Sequence, residues 1–322
     1  MSSLRILLRS LAVAALSAAL IAPASVARAE PTPAELTKQI EKSSTELERI
    51  VESYNKLKEE IKANKATAAA LQARIGPLQA QAERSRADVG VLAVTAYKTG
   101  GLPTAQALLE QGGSNSLVDR LGTLDQLTRQ RQATIASFTT DQRKLIDEKT
   151  RLDATLAREA AQAKQLAAGK KKIEADLARL YELRRQAYGR ATEAPGTASS
   201  AGSPPAISGS AGVAVRYAYG AIGKPYVWGA DGPDGYDCSG LTLASWRAAG
   251  KSLPHNAAMQ WDATARISRS SLQPGDLVFY EGLGHVSLYV GSGQVIDAPS
   301  AGRNVSKRDM DIMTIAGYGR VR

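Results

Sequence analysis

Tyr236-Asp237-Cys238-Ser239-Gly240-Leu241-Thr242-Leu243-Ala244 is the stretch on which the reading of this chain turns. Its small and polar opening runs into an apolar segment, 239–249, that reads as a helix stopped by Gly250. Cys238 is the only cysteine in 322 residues, and there are two histidines, His255 and His285. A lone thiol forms no internal disulfide, so its presence suggests a use that serine or alanine could not fill, with nucleophilic catalysis the first candidate. At a helix start the unpaired N–H groups and the positive dipole end favour a thiolate, which lowers the cysteine pKa. The same N–H groups suit the oxyanion of a tetrahedral acyl intermediate. His285 opens a strand-like run, 285–290, and Asp297 ends the next one, 294–297, from where it could accept the second ring N–H and hold the imidazole tautomer. One Cys and two His without close ligand spacing argue against a metal site.

Outward from this stretch, 213–222 reads as a second helix, and 277–280 and 317–321 as further short strands between glycine-rich turns. Helices first and strands afterwards predict an α+β domain over 213–322, with helices packed on an antiparallel sheet. Residues 194–212 are almost wholly Ala, Gly, Pro, Ser and Thr and read as a flexible linker. The preceding region, 30–193, has a different character. Leu36, Ile40, Leu47, Ile50, Tyr54, Leu57 and Ile61 advance by threes and fours, resuming at Leu71, Ile75 and Leu78. A second seam runs Leu117, Leu121, Leu124, Thr128, Arg131, Ile135, Phe138, Gln142, Leu145, Lys149, Leu152 and Leu156, with Lys, Glu and Gln filling the other faces. These are coiled-coil seams, and the economical arrangement is a long antiparallel α-helical hairpin folded back near 99–115. Gly76-Pro77 is expected to kink or interrupt its first arm. Arms of roughly fifty to seventy residues would reach on the order of 80–110 Å, too thin for a catalytic pocket and suited to a spacer, clamp or docking arm.

Residues 1–29 have the zones of a secretory signal: Arg5 and Arg9, an apolar core from Leu11 to Ile21, then Ala27-Arg28-Ala29. A mature exported chain beginning near Glu30 is expected, an uncleaved anchor being the alternative. The formal charge of +10 falls to +7 without the three leader arginines. A basic exported protein suits an anionic envelope surface. The charge is spread along helical faces with few aromatics beside it, which argues against nucleic acid as a partner.

Six blocks after residue 213 carry a resemblance: Gly223-Lys224-Pro225-Tyr226-Val227-Trp228-Gly229, Tyr236-Asp237-Cys238-Ser239-Gly240-Leu241, Leu253-Pro254-His255, Gln273-Pro274-Gly275-Asp276-Leu277-Val278-Phe279-Tyr280, Gly284-His285-Val286-Ser287-Leu288-Tyr289-Val290-Gly291, and Val295-Ile296-Asp297-Ala298-Pro299. In this order they resemble the NlpC/P60 domain, the papain-like cysteine peptidases of bacterial cell walls. The resemblance implies Cys238 as nucleophile, His285 as base and Asp297 as the third polar group, where many relatives carry His, Asn, Gln or Glu. It implies substrate-facing roles for Tyr226, Asp237, Ser239 and His255, the last at a position where Arg is frequent. The implied reaction is hydrolysis of a peptidoglycan stem peptide between D-glutamate and diaminopimelate, without cofactor. Tyr97-Lys98-Thr99-Gly100-Gly101 and Leu117-Val118-Asp119-Arg120-Leu121-Gly122-Thr123-Leu124 are similar to coiled-coil arms of division-associated wall hydrolases. Such arms imply docking on a membrane-embedded division complex and restraint of the enzyme, a passive spacer being the plainer alternative. A peptidoglycan-binding scaffold that does not cut, or a thioester acyltransferase, are the other functions this domain would allow.

Overall fold

The computed structural model describes residues 31–100, 114–194 and 202–322. The leader expected at 1–29, the fold-back at 101–113 and part of the expected linker, 195–201, lie outside them. Two long helices come first, α1 (Pro33–Thr99) and α2 (Ser114–Tyr188). Thr32 caps α1 by accepting from the Glu35 N–H while the Glu35 carboxylate accepts from the Thr32 N–H, and Pro33 occupies the first turn where its missing donor costs nothing. Gly100, at φ 55°, ends the helix in the left-handed region. The helix is not interrupted at Gly76-Pro77: α1 continues through Pro77. The interior proline costs about 3 kcal/mol, offset by the burial of Ile75 and Ala82 on either side.

Cross-helix pairs establish the antiparallel hairpin. Asn64 meets Gln162, Arg74 meets Glu148, and Gln81 and Ser85 both meet Asp141, so partners descend along α2 as they ascend along α1. The second seam departs from expectation at alternate positions. Asp141, Glu148 and Thr155, seven residues apart, turn inward, while Leu156 and Ile135 are exposed. Two helices alone leave a narrow interface. Asp141 and Glu148 find partners on α1, so polar contacts set the register there in place of leucine packing, while Thr155 donates back to the Arg151 carbonyl of its own helix.

The C-terminal domain contains helices α3 (Gly209–Ala221), α4 (Cys238–Ala248) and α5 (Ala257–Ala263). Strands β1 (Ala265–Ile267), β2 (Leu277–Tyr280), β3 (His285–Gly291), β4 (Gln294–Asp297), β5 (Ser306–Asp309) and β6 (Ile315–Arg320) form one antiparallel sheet in the order β1-β6-β2-β3-β4-β5. This is the expected α+β layer. Helix α3 starts four residues before the expected 213, within the segment read as linker. Helix α5 and strands β1 and β5 had no legible pattern; β5 reads Ser306-Lys307-Arg308-Asp309, with no apolar alternation.

Strand β2 is buried on both faces. Leu277 and Phe279 join the main core with Leu241, Ala244, Val286 and Leu288, while Val278 and Tyr280 join Val295 and Met310 behind the sheet. Tyr289 pairs with Val295, so His285 and Asp297, each an even number of residues along, share that second face. Gly240 lies where the first turn of α4 crosses the 226–231 loop. A Cβ there would sit 2.1 Å from the Ala230 carbonyl oxygen. All three tryptophans lie in this domain. Gly240→Ala is expected to lower its stability by about 1–3 kcal/mol, read as an earlier denaturant midpoint in tryptophan fluorescence; an unchanged midpoint would show that the loop yields freely.

Candidate active site

Asp237 is the N-cap of α4, with an extended backbone that aims its side chain at the helix start. Its Oδ1 accepts from the Gly240 N–H at 2.7 Å and from His255 Nε2 at 2.8 Å, and its Oδ2 accepts from the Gly229 N–H at 2.8 Å. One fully buried carboxylate thus ties the helix start, the 226–231 loop and the entry to α5. Burial disfavours a charged His255, but the Asp237 charge outweighs it and raises the histidine pKa. Cys238 is the first residue of α4 and is 1% exposed. Its sulfur takes a backbone hydrogen bond from Val286, the residue after His285, which brings the helix tip to the start of β3.

His285 is fully buried and directs Nε2 to Asp297 Oδ2 at 2.8 Å. Burial alone would raise the Asp297 carboxyl. The Arg308 guanidinium and the His285 hydrogen bond overcome it and hold the carboxyl at about 2, so the aspartate is ionised. The other imidazole nitrogen, Nδ1, has no hydrogen-bond partner in the protein, and neither does the buried Tyr226 hydroxyl. The structure therefore brings Cys238, His285 and Asp297 together, with Tyr226, Asp237, Ser239 and His255 around them. The three-bond reach of aspartate suffices because β4 places its backbone beside the imidazole.

Sequence reasoning missed what covers this group. Glu48, Glu52 and Asn55 of α1 recur at helical spacing and form one stripe pressed into the site. Glu52 Oε1 accepts from Ser239 Oγ at 2.6 Å and from the Cys238 thiol at 3.6 Å. Its Oε2 accepts from Asn256 Nδ2 at 2.9 Å and from the Ala257 N–H. Asn55 Nδ2 donates to Asp237 Oδ2 at 2.8 Å, and Glu48 Oε2 stands 3.5 Å from His285 Nδ1. Tyr54 of the same helix meets Trp228 edge to face. The end of α2 adds a second anchor, where Arg184 donates to the Gly302 carbonyl at 2.9 Å and the Glu193 carboxylate accepts from the Asn304 N–H at 2.9 Å. A cleft of about 670 Å³, lined by Glu48, Arg184, Arg303 and Arg308 among others, runs between the hairpin and the domain.

This covering reverses the expectation of a thiolate. Burial, and then the charges of Glu52, Asp237 and Glu48, push the Cys238 thiol well above its ordinary range. The helix dipole is too weak to offset desolvation with three carboxyl groups close by. Burial and the Asp237 charge likewise raise Glu52 to about 7, and burial raises Glu48. His285 responds oppositely: burial disfavours its charge, yet Glu48 and Asp297 together push it up to about 10. The sequence signal for the stripe was Glu48-x3-Glu52-x2-Asn55, which is indistinguishable from a solvated helix face without the domain packed on it. Arg308 and Asn256 were missed as well, being single polar residues in segments without periodicity. Among the described residues, no cluster of His, Cys, Asp and Glu is arranged to hold a metal ion.

Residues 223–317 match the family described as NlpC/P60. A protein named probable endopeptidase p60 from Listeria grayi is 43% identical over 105 residues, covering 31% of this chain and 20% of that protein. A probable endopeptidase of Corynebacterium glutamicum (strain R) is 40% identical over 128 residues, covering 39% of this chain and 59% of that protein. The crystal structure of the NlpC/p60 domain of peptidoglycan hydrolase SagA is 33% identical with a TM-score of 0.33, covering 34% of this chain and 98% of that one. The chain spans less than two thirds of the length of either curated relative. The residues that hold Cys238, His285 and Asp297 are an NlpC/P60 domain, and this chain carries that family's fold at its C-terminal end.

Proposed function

We propose that this chain is an exported cysteine endopeptidase that hydrolyses peptidoglycan stem peptides, at the D-glutamyl–diaminopimelate bond, and that its helical hairpin holds the site closed until a partner draws it away. The observation that carries the peptidase reading is the His285 imidazole, whose Nε2 is held by buried Asp297 while the next residue, Val286, hydrogen-bonds the Cys238 sulfur through its backbone. Relatives named endopeptidases and a peptidoglycan hydrolase support the substrate class.

In this reading, Nδ1 takes the Cys238 proton and the thiolate attacks the amide carbonyl carbon. The oxyanion is met by N–H groups at the start of α4. Nδ1–H then protonates the departing amine as the C–N bond breaks, leaving a thioester. A water gives its proton to the same nitrogen, adds to the thioester carbonyl, and the acid and thiol are released. Asp297 holds the ring throughout. Ser239, His255, Asp237 and the unbonded Tyr226 hydroxyl line the substrate side.

Restraint is supported by the same geometry. Substrate and the Glu48–Glu52–Asn55 stripe compete for one space, and the thiol beneath the stripe is not ionised. The far end of the hairpin leaves Val91, Val94, Tyr97, Val118 and Leu121 exposed, Tyr97 by 90%. That apolar group suits a docking partner such as a membrane division complex. No helix among the described residues is long and apolar enough to cross a membrane itself.

Digestion of purified muropeptides, with products identified by mass, tests the chemistry. The full-length chain is expected to release new diaminopimelate amines slowly, and Cys238→Ala none; new linkages would indicate acyl transfer, and an unchanged mixture with bound peptide a non-cutting scaffold. Full-length Glu52→Ala/Asn55→Ala is expected to cut about tenfold faster or more, and an unchanged rate would reject restraint by this stripe.

Docking buries Glu52 beside Asp237, raising it to about 7, and brings Glu48 to His285, which with Asp297 raises the imidazole to about 10, so docking binds protons and is strongest at low pH. It weakens as pH rises through 7. Iodoacetamide labelling of Cys238 in the full-length chain is expected to rise from about pH 6 to 8 more steeply than thiol ionisation alone allows. Glu52→Gln, which resembles the protonated acid, is expected to flatten that rise; an identical profile in the variant would remove Glu52 as its origin.

A further inference from the structure

We infer that Arg308 is a positioning residue of the reaction, acting through Asp297 to hold the His285 imidazole in line for proton transfer. The inference rests on the peptidase reading above. Arg308 lies on β5 opposite Val295, so it shares a sheet face with Asp297 two residues along β4 and reaches it diagonally. Arg308 Nε donates to Asp297 Oδ1 at 3.0 Å and Nη2 donates to Oδ2, the same oxygen that accepts from His285. The guanidinium fork therefore grips both carboxylate oxygens and sets the plane in which the carboxylate meets the ring.

The need for such a fork follows from the side chain at 297. Asp297 is completely buried, and its two oxygens have the imidazole and Arg308 as their hydrogen-bond partners. A buried carboxylate with the imidazole alone would be driven toward protonation, and a protonated acid no longer steadies an imidazolium. Burial is the largest influence raising the Asp297 carboxyl, and the Arg308 charge is the largest one lowering it. The other charged or titratable groups facing this set are Glu48 from α1 and Tyr280 from β2, whose ring stands 5.8 Å from that of His285. Glu48 leaves with the hairpin, and Tyr280 is held neutral by burial. In the open enzyme Arg308 is then the cation that keeps Asp297 ionised.

The test uses the full-length chain opened by Glu52→Ala/Asn55→Ala as parent, following muropeptide cleavage and Cys238 labelling against pH. Arg308→Met is expected to lower kcat by about 10- to 100-fold with KM changed less than about threefold. The acid limb of both profiles is expected to move up by about one pH unit or more. Arg308→Lys, which keeps the charge and loses the fork, is expected to leave the limb in place and lower kcat by about three- to tenfold. A merely structural role would scale the rate down without moving the limb, and would overturn the proposal, as would a parent-like Arg308→Met. If Arg308→Met does not fold by tryptophan fluorescence, Arg308→Lys decides: a lower kcat at unchanged KM supports positioning, and parent-like kcat rejects it. A parent that cuts nothing would instead remove the peptidase reading itself.

Discussion

Four donors converge on the carboxylate of Asp237: the N–H groups of Gly240 and Gly229, the imidazole of His255, and the amide of Asn55. A buried carboxylate is costly unless every lone pair is used, and that requirement gathers the site. It fixes where α4 begins and hence where Cys238 points. It draws in the loop that carries Tyr226, and it offers its last position to the hairpin. The helix start, the loop and the restraint are positioned from one side chain.

The hairpin acts by chemistry as well as by bulk. A hydrophobic plug would exclude substrate yet leave the thiol free to ionise beside an imidazole. The stripe on α1 brings carboxyl groups: Glu52 and Glu48 both disfavour a thiolate, and Glu48 also favours an imidazolium at His285. Glu52 gains Ser239, Asn256 and the Ala257 N–H as partners, so its own burial is offset by hydrogen bonds. Its carboxyl nevertheless sits at about 7, raised first by burial and then by the Asp237 charge. The closed arrangement is thus a balance of buried charges.

On the far side of the imidazole the logic is reversed. Asp297 must stay charged while wholly buried, and β5 supplies the cation. Strand β5 was invisible to pattern reading because Lys307, Arg308 and Asp309 carry no apolar period, yet it completes the sheet edge and meets the acid that holds the base. The Tyr226 hydroxyl, Asn55 Oδ1 and His285 Nδ1 are the polar atoms of the site without a hydrogen bond, Nδ1 facing the Glu48 carboxylate at 3.5 Å.

How much was legible in the residues follows from how local each signal is. Threes and fours in the apolar positions of 36–78 and 117–156 specify long helices, since that period is a property of a single helix. Their exact seam was misplaced at Asp141 and Glu148, because which polar residue turns inward depends on a partner far along the chain. Short apolar runs flanked by glycines marked β2, β3 and β4, and the lone Cys238 with His285 and Asp297 marked the candidate site, because few residue types do that chemistry. By contrast, Glu48, Glu52 and Asn55 read as an ordinary solvated face. Local sequence determines which helices and strands form and which side chains carry reactive groups. Whether Cys238 is ionised or silenced depends on charges brought from almost two hundred residues away, and that only tertiary packing decided.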